Sequence, residues 1–227
     1  MRILCTICAR KGSKGIKNKN IINLNGKPLI LNTLQQAKKI KFFNEIVVST
    51  DSLKIQKLVG KKYSWFLRPA KISDSKSSKI LAIKHAAKLA EKKFNCKYDI
   101  IFDLDVTSPL RNVKDIINSF DKFKRNKLNN LFTVSPPRKN PYFNIVEKKQ
   151  KKSLTYAPVK NQSKFNSRQA SPRVFEMNAA IYIWKREIIN TKNPLFNNKS
   201  GIFIMPRDRS FDIDDELDFK IVKLLSK

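Results

Sequence analysis

The sequence predicts an α/β fold of three layers, a mainly parallel sheet with helices on both faces. Two patterns carry this expectation. Apolar or β-branched runs alternate with amphipathic segments through the first two thirds of the chain, and the opening run at residues 3–9 is continuously apolar, as a central strand buried on both faces requires. At 227 residues the chain can bury one sizeable core, so residues 1–227 are expected to form a single domain.

The elements follow in order. After the first strand comes a polar Gly/Ser/Lys loop, then a helix over 28–39 with Pro28 near its first turn. Residues 45–50 form a β-branched strand ended by Asp51, a residue type that caps helices. The clearest helix spans 77–94: Ile80, Ile83, Ala87, Ala90 and Phe94 fall on one stripe, lysines on the other, and Ser77 and Ser78 supply a cap. Residues 98–106 return as a strand, 113–123 as a helix and 131–135 as a strand. From 136 to 173 the pattern breaks into Pro-, Asn-, Lys- and Gln-rich sequence with extended pieces such as 142–146, which reads as a lid or an oligomerisation arm. Residues 180–184 and 202–205 are late strands, and 216–225 a closing helix.

Composition narrows the function. No apolar stretch approaches the roughly 20 residues that span a bilayer, and the opening run is too short, and too soon followed by Arg10, Lys11 and Lys14, to be a signal-peptide core; a cytoplasmic protein without a membrane partner is expected. Cys5, Cys8 and Cys96 make no disulfide framework, and three-residue spacing in a strand points Cys5 and Cys8 to opposite faces. Forty-eight Lys+Arg against 18 Asp+Glu give a formal charge of +30, which raises nucleic acid as a partner. The lysines are scattered over every predicted helix, as solvated faces are, so no specific nucleic acid is expected. A basic nucleic-acid-binding protein that kept this fold without catalysis is the alternative.

Three segments carry chemistry. In the loop at 9–20, Gly12 and Gly15 let backbone N–H groups turn inward and Arg10, Lys14 and Lys19 supply charge, so it either cradles a polyphosphate or is an ordinary basic surface loop; it matches neither the P-loop nor the dinucleotide fingerprint. At the end of the strand over 98–106, Asp103 and Asp105 are two apart and face one side, where a cation, a lysine or a sugar hydroxyl would answer them. Asp212 and Asp214 likewise share a face if their segment is extended, which brings both to one divalent ion, while Asp214 or Asp215 is equally suited to cap the last helix. The lone His85 lies within a helix and suits packing; no Ser/His/Asp triad can be built around it. Trp65 and Trp184 read as core or pocket wall.

Taken in order, residues 7–20 (ICARKGSKGIKNKN), Ser49-Thr50-Asp51, Arg68-Pro69-Ala70, 105–111 (DVTSPLR), 178–182 (NAAIY) and 211–218 (FDIDDELD) resemble the acylneuraminate cytidylyltransferase family, the CMP-sugar synthetases, over essentially the whole chain. The resemblance implies a Rossmann-like nucleotidyltransferase fold and transfer of CMP from CTP to a nonulosonic acid, with Mg2+ as cofactor. It places the nucleotide on Arg10, Gly12, Ser13, Lys14, Lys19, Asn20, Arg68 and Ser78, the metal on Asp212 and Asp214, and the sugar near Asp105, Thr107 and Tyr182. Arg10, Lys14, Asp212 and Asp214 are then the catalytic set. It also implies a homodimer whose arm, 136–175, brings Arg168 and Gln169 toward the partner's site. Sialic acid enzymes of the family commonly read QPTSPLR and NGAIY where this chain has DVTSPLR and NAAIY. The DLDVT form, followed by residues 140–144 (NPYFN) and Met177-Asn178-Ala179, looks more like the synthetases acting on legionaminic acid, with sialic acid next; a carboxylate at Asp105 accepts hydrogen bonds but donates none, so sugar recognition should differ from that of the sialic acid enzymes.

Overall fold

In this computed structural model, residues 1–13, 15–74, 77–148, 156–159, 165, 167 and 169–226 are described. The strands and helices run β1 (Ile3–Cys8), β2 (Asn23–Leu24), β3 (Lys27–Pro28), α1 (Leu29–Lys38), β4 (Glu45–Thr50), α2 (Leu53–Val59), β5 (Ser64–Leu67), α3 (Lys79–Lys93), β6 (Ile100–Leu104), α4 (Val113–Arg125), β7 (Asn130–Ser135), β8 (Val146–Lys148), β9 (Tyr156–Pro158), β10 (Glu176–Lys185), α5 (Arg186–Ile189), β11 (Ser200–Ile204) and α6 (Glu216–Leu225). Seven strands make the central sheet in the order β11, β7, β10, β6, β1, β4, β5. Only β10 is antiparallel to its two neighbours, β6 and β7; the other pairings are parallel. The expected mainly parallel sheet is therefore present.

Burial explains the layers. The continuous apolar run of β1 is buried on both faces. One face of the sheet packs on Leu29, Ile30 and Leu34 of α1, Ile116 and Phe120 of α4 and Val222 of α6; the other packs on Ile83, Ala86, Ala87 and Ala90 of α3 and Ile189 of α5. Cys5 goes to the first cluster and Cys8 to the second, as strand alternation predicts, and both are free thiols. A knot of rings from Phe42, Phe43, Phe102 and Phe120, with centroids 4.5–5.7 Å apart, locks β6 to α4, each buried ring contributing about 2–3 kcal/mol. From β1, the chain builds outward to β4 and β5 on one side and crosses to β6 on the other. That reversal opens a crevice at the carboxyl ends of β1 and β6, where ligands bind in open α/β sheets.

Local details correct three expectations. Ser52, not Asp51, caps α2, its hydroxyl accepting from Ile55 N; the Asp51 carboxylate instead accepts from Lys11 N at 2.6 Å, because the loop after β1 passes in front of it. Trp65 lies on the edge strand β5 and is 38% exposed, whereas Trp184 is buried with its indole N–H on Pro194 O. Residues 141–144 form a turn where an extended piece was expected, since Asn140 accepts from Phe143 N and Asn144 N; the strand begins at Val146 and pairs with β9 in a two-stranded ribbon.

The register of β10 on β7 shifts between Met177 and Tyr182, and within this bulge Ala179 holds φ 54°. That left-handed conformation costs an alanine about 1 kcal/mol and a glycine almost nothing. Ala179→Gly is expected to raise stability by about 0.5–1 kcal/mol, read as a melting temperature about 1–4 °C higher; an unchanged or lower value would show that the bulge is unstrained.

Candidate functional site

A cavity of about 430 Å³ opens in the crevice at the carboxyl ends of the central strands. Arg10, Ser13, Lys19 and Asn20 line it from the loop after β1, Arg68 and Ser78 from the far wall, Asp105 and Thr107 from the end of β6, and Asp212 and Asp214 from the segment before α6. The structure thus brings together most of the residues singled out in the sequence. Gly12 and Gln169, both exposed, and Tyr182 are not among the lining side chains, and Lys14 and Arg168 lie outside the described residues. Tyr182 instead stacks on Trp184 at 5.3 Å between centroids.

The loop after β1 is pinned at both ends. Ala9 N continues the pairing to Ser49 O at 2.9 Å, Lys11 N reaches Asp51, and the buried Asn20 side chain donates to Arg10 O at 2.9 Å. Gly15 is where the loop meets the acidic segment: a Cβ there would fall 1.9 Å from Asp214 O, while a Cβ on Gly12 would meet nothing within 4 Å. Lys19 Nζ donates to Asp214 Oδ1 at 2.9 Å. On the opposite wall Arg68 is buried; its Nε and Nη2 donate to Ser49 Oγ and O at 3.1 and 2.8 Å, and among the described residues no carboxylate pairs with it. A buried guanidinium held only by neutral groups keeps its charge for a ligand.

Behind these residues lies an ion cluster. Lys79, the first residue of α3 next to the capping Ser78, places Nζ 2.6 Å from Asp103 Oδ2 and 2.5 Å from Asp105 Oδ2. Lys79 supplies the lysine that the sequence allowed as a partner for this acid pair. Thr6 Oγ1 donates to Asp103 Oδ1, and Thr107 donates to Asp105 Oδ1 through both its N–H and its hydroxyl. Burial raises the Asp105 carboxyl, but the Lys79 ammonium and the Thr107 bonds outweigh it and hold it at about 2. Arg111, at the end of the DVTSPLR segment, is buried and structural: it donates to Asp105 O, Ala180 O and the Gln36 side chain.

The second acid pair is joined to the first by one backbone bond, Ile213 N to Thr107 O at 2.9 Å. Residues 211–214 belong to no helix or strand, and Asp212 and Asp214 both line the cavity, while Asp215 caps α6 with Asp218 in a capping box. Asp212 Oδ1 is buried with no hydrogen-bond partner. Burial, then the charges of Asp105 and Asp214, push this carboxyl up to about 6, with Thr107 and Lys19 opposing. An orphaned buried carboxylate oxygen beside a second carboxylate fits a hard divalent cation. Among the described residues no group of three His, Cys, Asp or Glu side chains encloses a metal. Two carboxylates fit magnesium, which takes one or two and completes its shell from substrate phosphates and water.

The family model for cytidylyltransferases matches residues 4–220. The chain belongs to the cytidylyltransferase family. Among its relatives, this cytidylyltransferase is 44% identical to the post-translational flagellin modification protein B of Campylobacter coli, over 99% of this chain and 95% of that one. It is 40% identical to the CMP-N,N'-diacetyllegionaminic acid synthase of Campylobacter jejuni, over 98% and 94%. Its fold is that of a solved CMP:2-keto-3-deoxy-manno-octonic acid synthetase complexed with CTP, with TM-score 0.70 at 15% identity over 100% of this chain and 98% of that one. None of these matches supports the nucleic-acid-binding alternative drawn from the +30 charge, and no helix is long and apolar enough to cross a membrane.

Sequence reading missed the role of Lys79, one lysine among many, and that of Asp51 as the anchor of the loop. The separate acceptors of Lys79, two residues apart in a buried strand, were the available signal. Two outcomes test the geometry. Gly15→Ala is expected to push the loop off Asp214 and weaken CTP binding at least tenfold by calorimetry, whereas Gly12→Ala leaves it within about twofold; equal effects would refute the close approach at Gly15. Since the raised Asp212 carboxyl favours the protonated folded state, ionising it costs stability above pH 6. Asp212→Asn in metal-free protein is expected to melt about 2–4 °C higher at pH 8, the gain fading as pH falls through about 6 toward the ordinary carboxyl value of 3.8. A gain that persists at pH 4 would contradict the assignment.

Proposed function

We propose that this cytidylyltransferase transfers CMP from CTP to the anomeric hydroxyl of a nonulosonic acid, legionaminic acid first and sialic acid next, releasing pyrophosphate. The observation that carries the reading is the orphaned Asp212 oxygen beside Asp214, facing a cavity whose other walls are Arg10, Lys19 and Arg68. An anionic, cation-bearing ligand matches that distribution of charge, and the relative named for CMP-N,N'-diacetyllegionaminic acid supplies the sugar class.

In this reading the triphosphate lies along the loop after β1, on Arg10, Ser13, Lys14, Lys19 and the N–H groups near Gly12, with Asn20 fixing the loop from behind. Arg68 and Ser78 hold the nucleoside. Asp105, Thr107 and Tyr182 belong to the acceptor side, where Lys79 keeps Asp105 ionised and so purely accepting. The anomeric oxygen forms a bond to the α-phosphorus as the bond to pyrophosphate breaks, and the hydroxyl proton passes to a nearby carboxylate. Magnesium held by Asp212 and Asp214 would neutralise phosphate charge and acidify the hydroxyl. Positioning and charge neutralisation supply most of the rate. As part of the same proposal, the chain acts as one domain in the cytoplasm, and residues 136–175 form an arm that pairs two subunits and carries Arg168 and Gln169 toward the partner's site.

Pyrophosphate release from CTP and magnesium, with legionaminic, sialic and pseudaminic acids and the eight-carbon acid Kdo in parallel, tests the reading; the highest kcat/KM is expected with legionaminic acid. Asp214→Ala, at an exposed side chain that folding does not need, is expected to lower kcat by a factor of about 100 or more. Turnover within a few-fold of wild type would remove Asp214 from the metal site.

A further inference from the structure

A cavity of about 690 Å³ opens at the other end of the sheet from the acid pair, where β1 and β6 begin and β10 and α4 end. Its deep lining is apolar, with Ile100 and Phe123 buried and Leu128 half-buried. Its outer lining is cationic, with Lys97, Lys124, Lys127, Lys185 and Arg186 against only Asp99 and Glu187. None of these residues lines the crevice at the carboxyl ends, and none was singled out by the sequence for a ligand.

Part of this positive charge is already answered. Arg186 donates to both carboxylate oxygens of Glu91, Lys124 pairs with Asp121 at 3.2 Å, and Lys185 Nζ donates to Asn129 Oδ1 at 3.4 Å. Asp99 is engaged as well: its Oδ2 accepts from Arg2 N at 2.6 Å and lies 3.8 Å from the Met1 ammonium. Among the described residues Lys97 and Lys127 are in no ion pair. The neutral groups that recognise a base or a sugar are missing: among the described residues the lining holds no serine, threonine, asparagine or glutamine, and the Tyr98 hydroxyl is itself buried. The crevice at the carboxyl ends is the opposite case, with Ser13, Asn20, Ser78 and Thr107 in its walls. Apolar depth, unanswered ammonium groups and no neutral hydrogen-bonding side chains match an anion carried on an apolar body, and the volume falls within the roughly 300–1,000 Å³ of small-molecule sites.

We propose that this cavity is a second ligand site, for a carboxylate on an acyl chain, the chain lying on Ile100, Phe123 and Leu128 and the head meeting Lys97 and Lys127. The site does not depend on the CMP-transfer reading. The length of β6 separates it from the crevice, so the two sites fill independently of each other.

Fluorescence titration of the full chain with anilinonaphthalene sulfonate, an anion on an apolar body, followed by displacement with decanoate, decanol and CTP, tests the site. One probe per chain is expected, displaced by decanoate, about tenfold less well by decanol, and not at all by CTP. Lys127 holds φ 49°, a conformation that glycine adopts freely, and Lys97 is exposed, so Lys127→Gly and Lys97→Gln keep the fold. Each is expected to weaken decanoate about fivefold, whereas Lys54→Gln, at an exposed position of α2 outside the cavity, stays within about twofold. Displacement by CTP would put the probe in the crevice, and an equal loss in all three variants would reduce the effect to diffuse charge; either result overturns the site. So would no binding of probe or decanoate, equal affinity for decanol, or full affinity in both cavity variants. Binding to phosphatidylglycerol vesicles with none to decanoate would overturn it too, in favour of a membrane surface.

Discussion

A carboxylate buried in the middle of a parallel sheet cannot stand alone, and Asp103 on β6 does not: the Lys79 ammonium lies 2.6 Å away and the Thr6 hydroxyl satisfies its other oxygen. Removing one partner of such a buried pair is far more damaging than never having built it. Yet the pair is not balanced. One ammonium answers two carboxylates, Asp103 and Asp105, and a third, Asp212, keeps an oxygen with no partner at all. In a chain of formal charge +30, the crevice thus gathers carboxylates and leaves one of their oxygens unanswered. A divalent cation is the kind of species such a surplus suits.

The fold exists to hold that surplus in position. Arg111 gathers the chain after β6, α1 and β10 by donating to Asp105 O, Gln36 and Ala180 O, and burial lowers its pKa to about 10 without bringing it near neutrality. Ile213 N then ties the last acidic segment to Thr107 O, so two acid pairs far apart in sequence are set one beside the other by one ladder-like bond. Gly15 lets the loop after β1 approach the same segment at a distance no side chain allows. Three structural contacts, none of them with a ligand, therefore fix the geometry of the site.

Much of this was legible in the residues. Alternation of apolar and amphipathic runs placed the main strands and helices, with β4 and α6 at the expected bounds, and period-two spacing put Asp103 with Asp105 and Asp212 with Asp214. Local pattern could not choose between competing local partners: Asp51 and Ser52 are both good caps, and only the passage of Lys11 N decided between them. Nor could it find partners across long separations, such as Lys79 for Asp103, or a cavity assembled from residues 135–218, because these contacts are set by tertiary packing and leave no periodic trace.

The antiparallel strand is the least expected feature of the sheet. Parallel strands deliver only carboxyl ends to the crevice; β10, inserted between β6 and β7, brings an amino end there, with Glu176 and Met177 lining the cavity of residues 135–218 beside Asp212 and Asp214. Its bulge turns Asn178 inward, where the carboxamide accepts from Thr133 on β7 and donates to Ser210, beside the acid segment. The left-handed Ala179 is the local cost of that turn. A regular strand would relieve the strain, but it would also release Asn178 from Ser210 and, with it, one hold on the chain that carries Asp212.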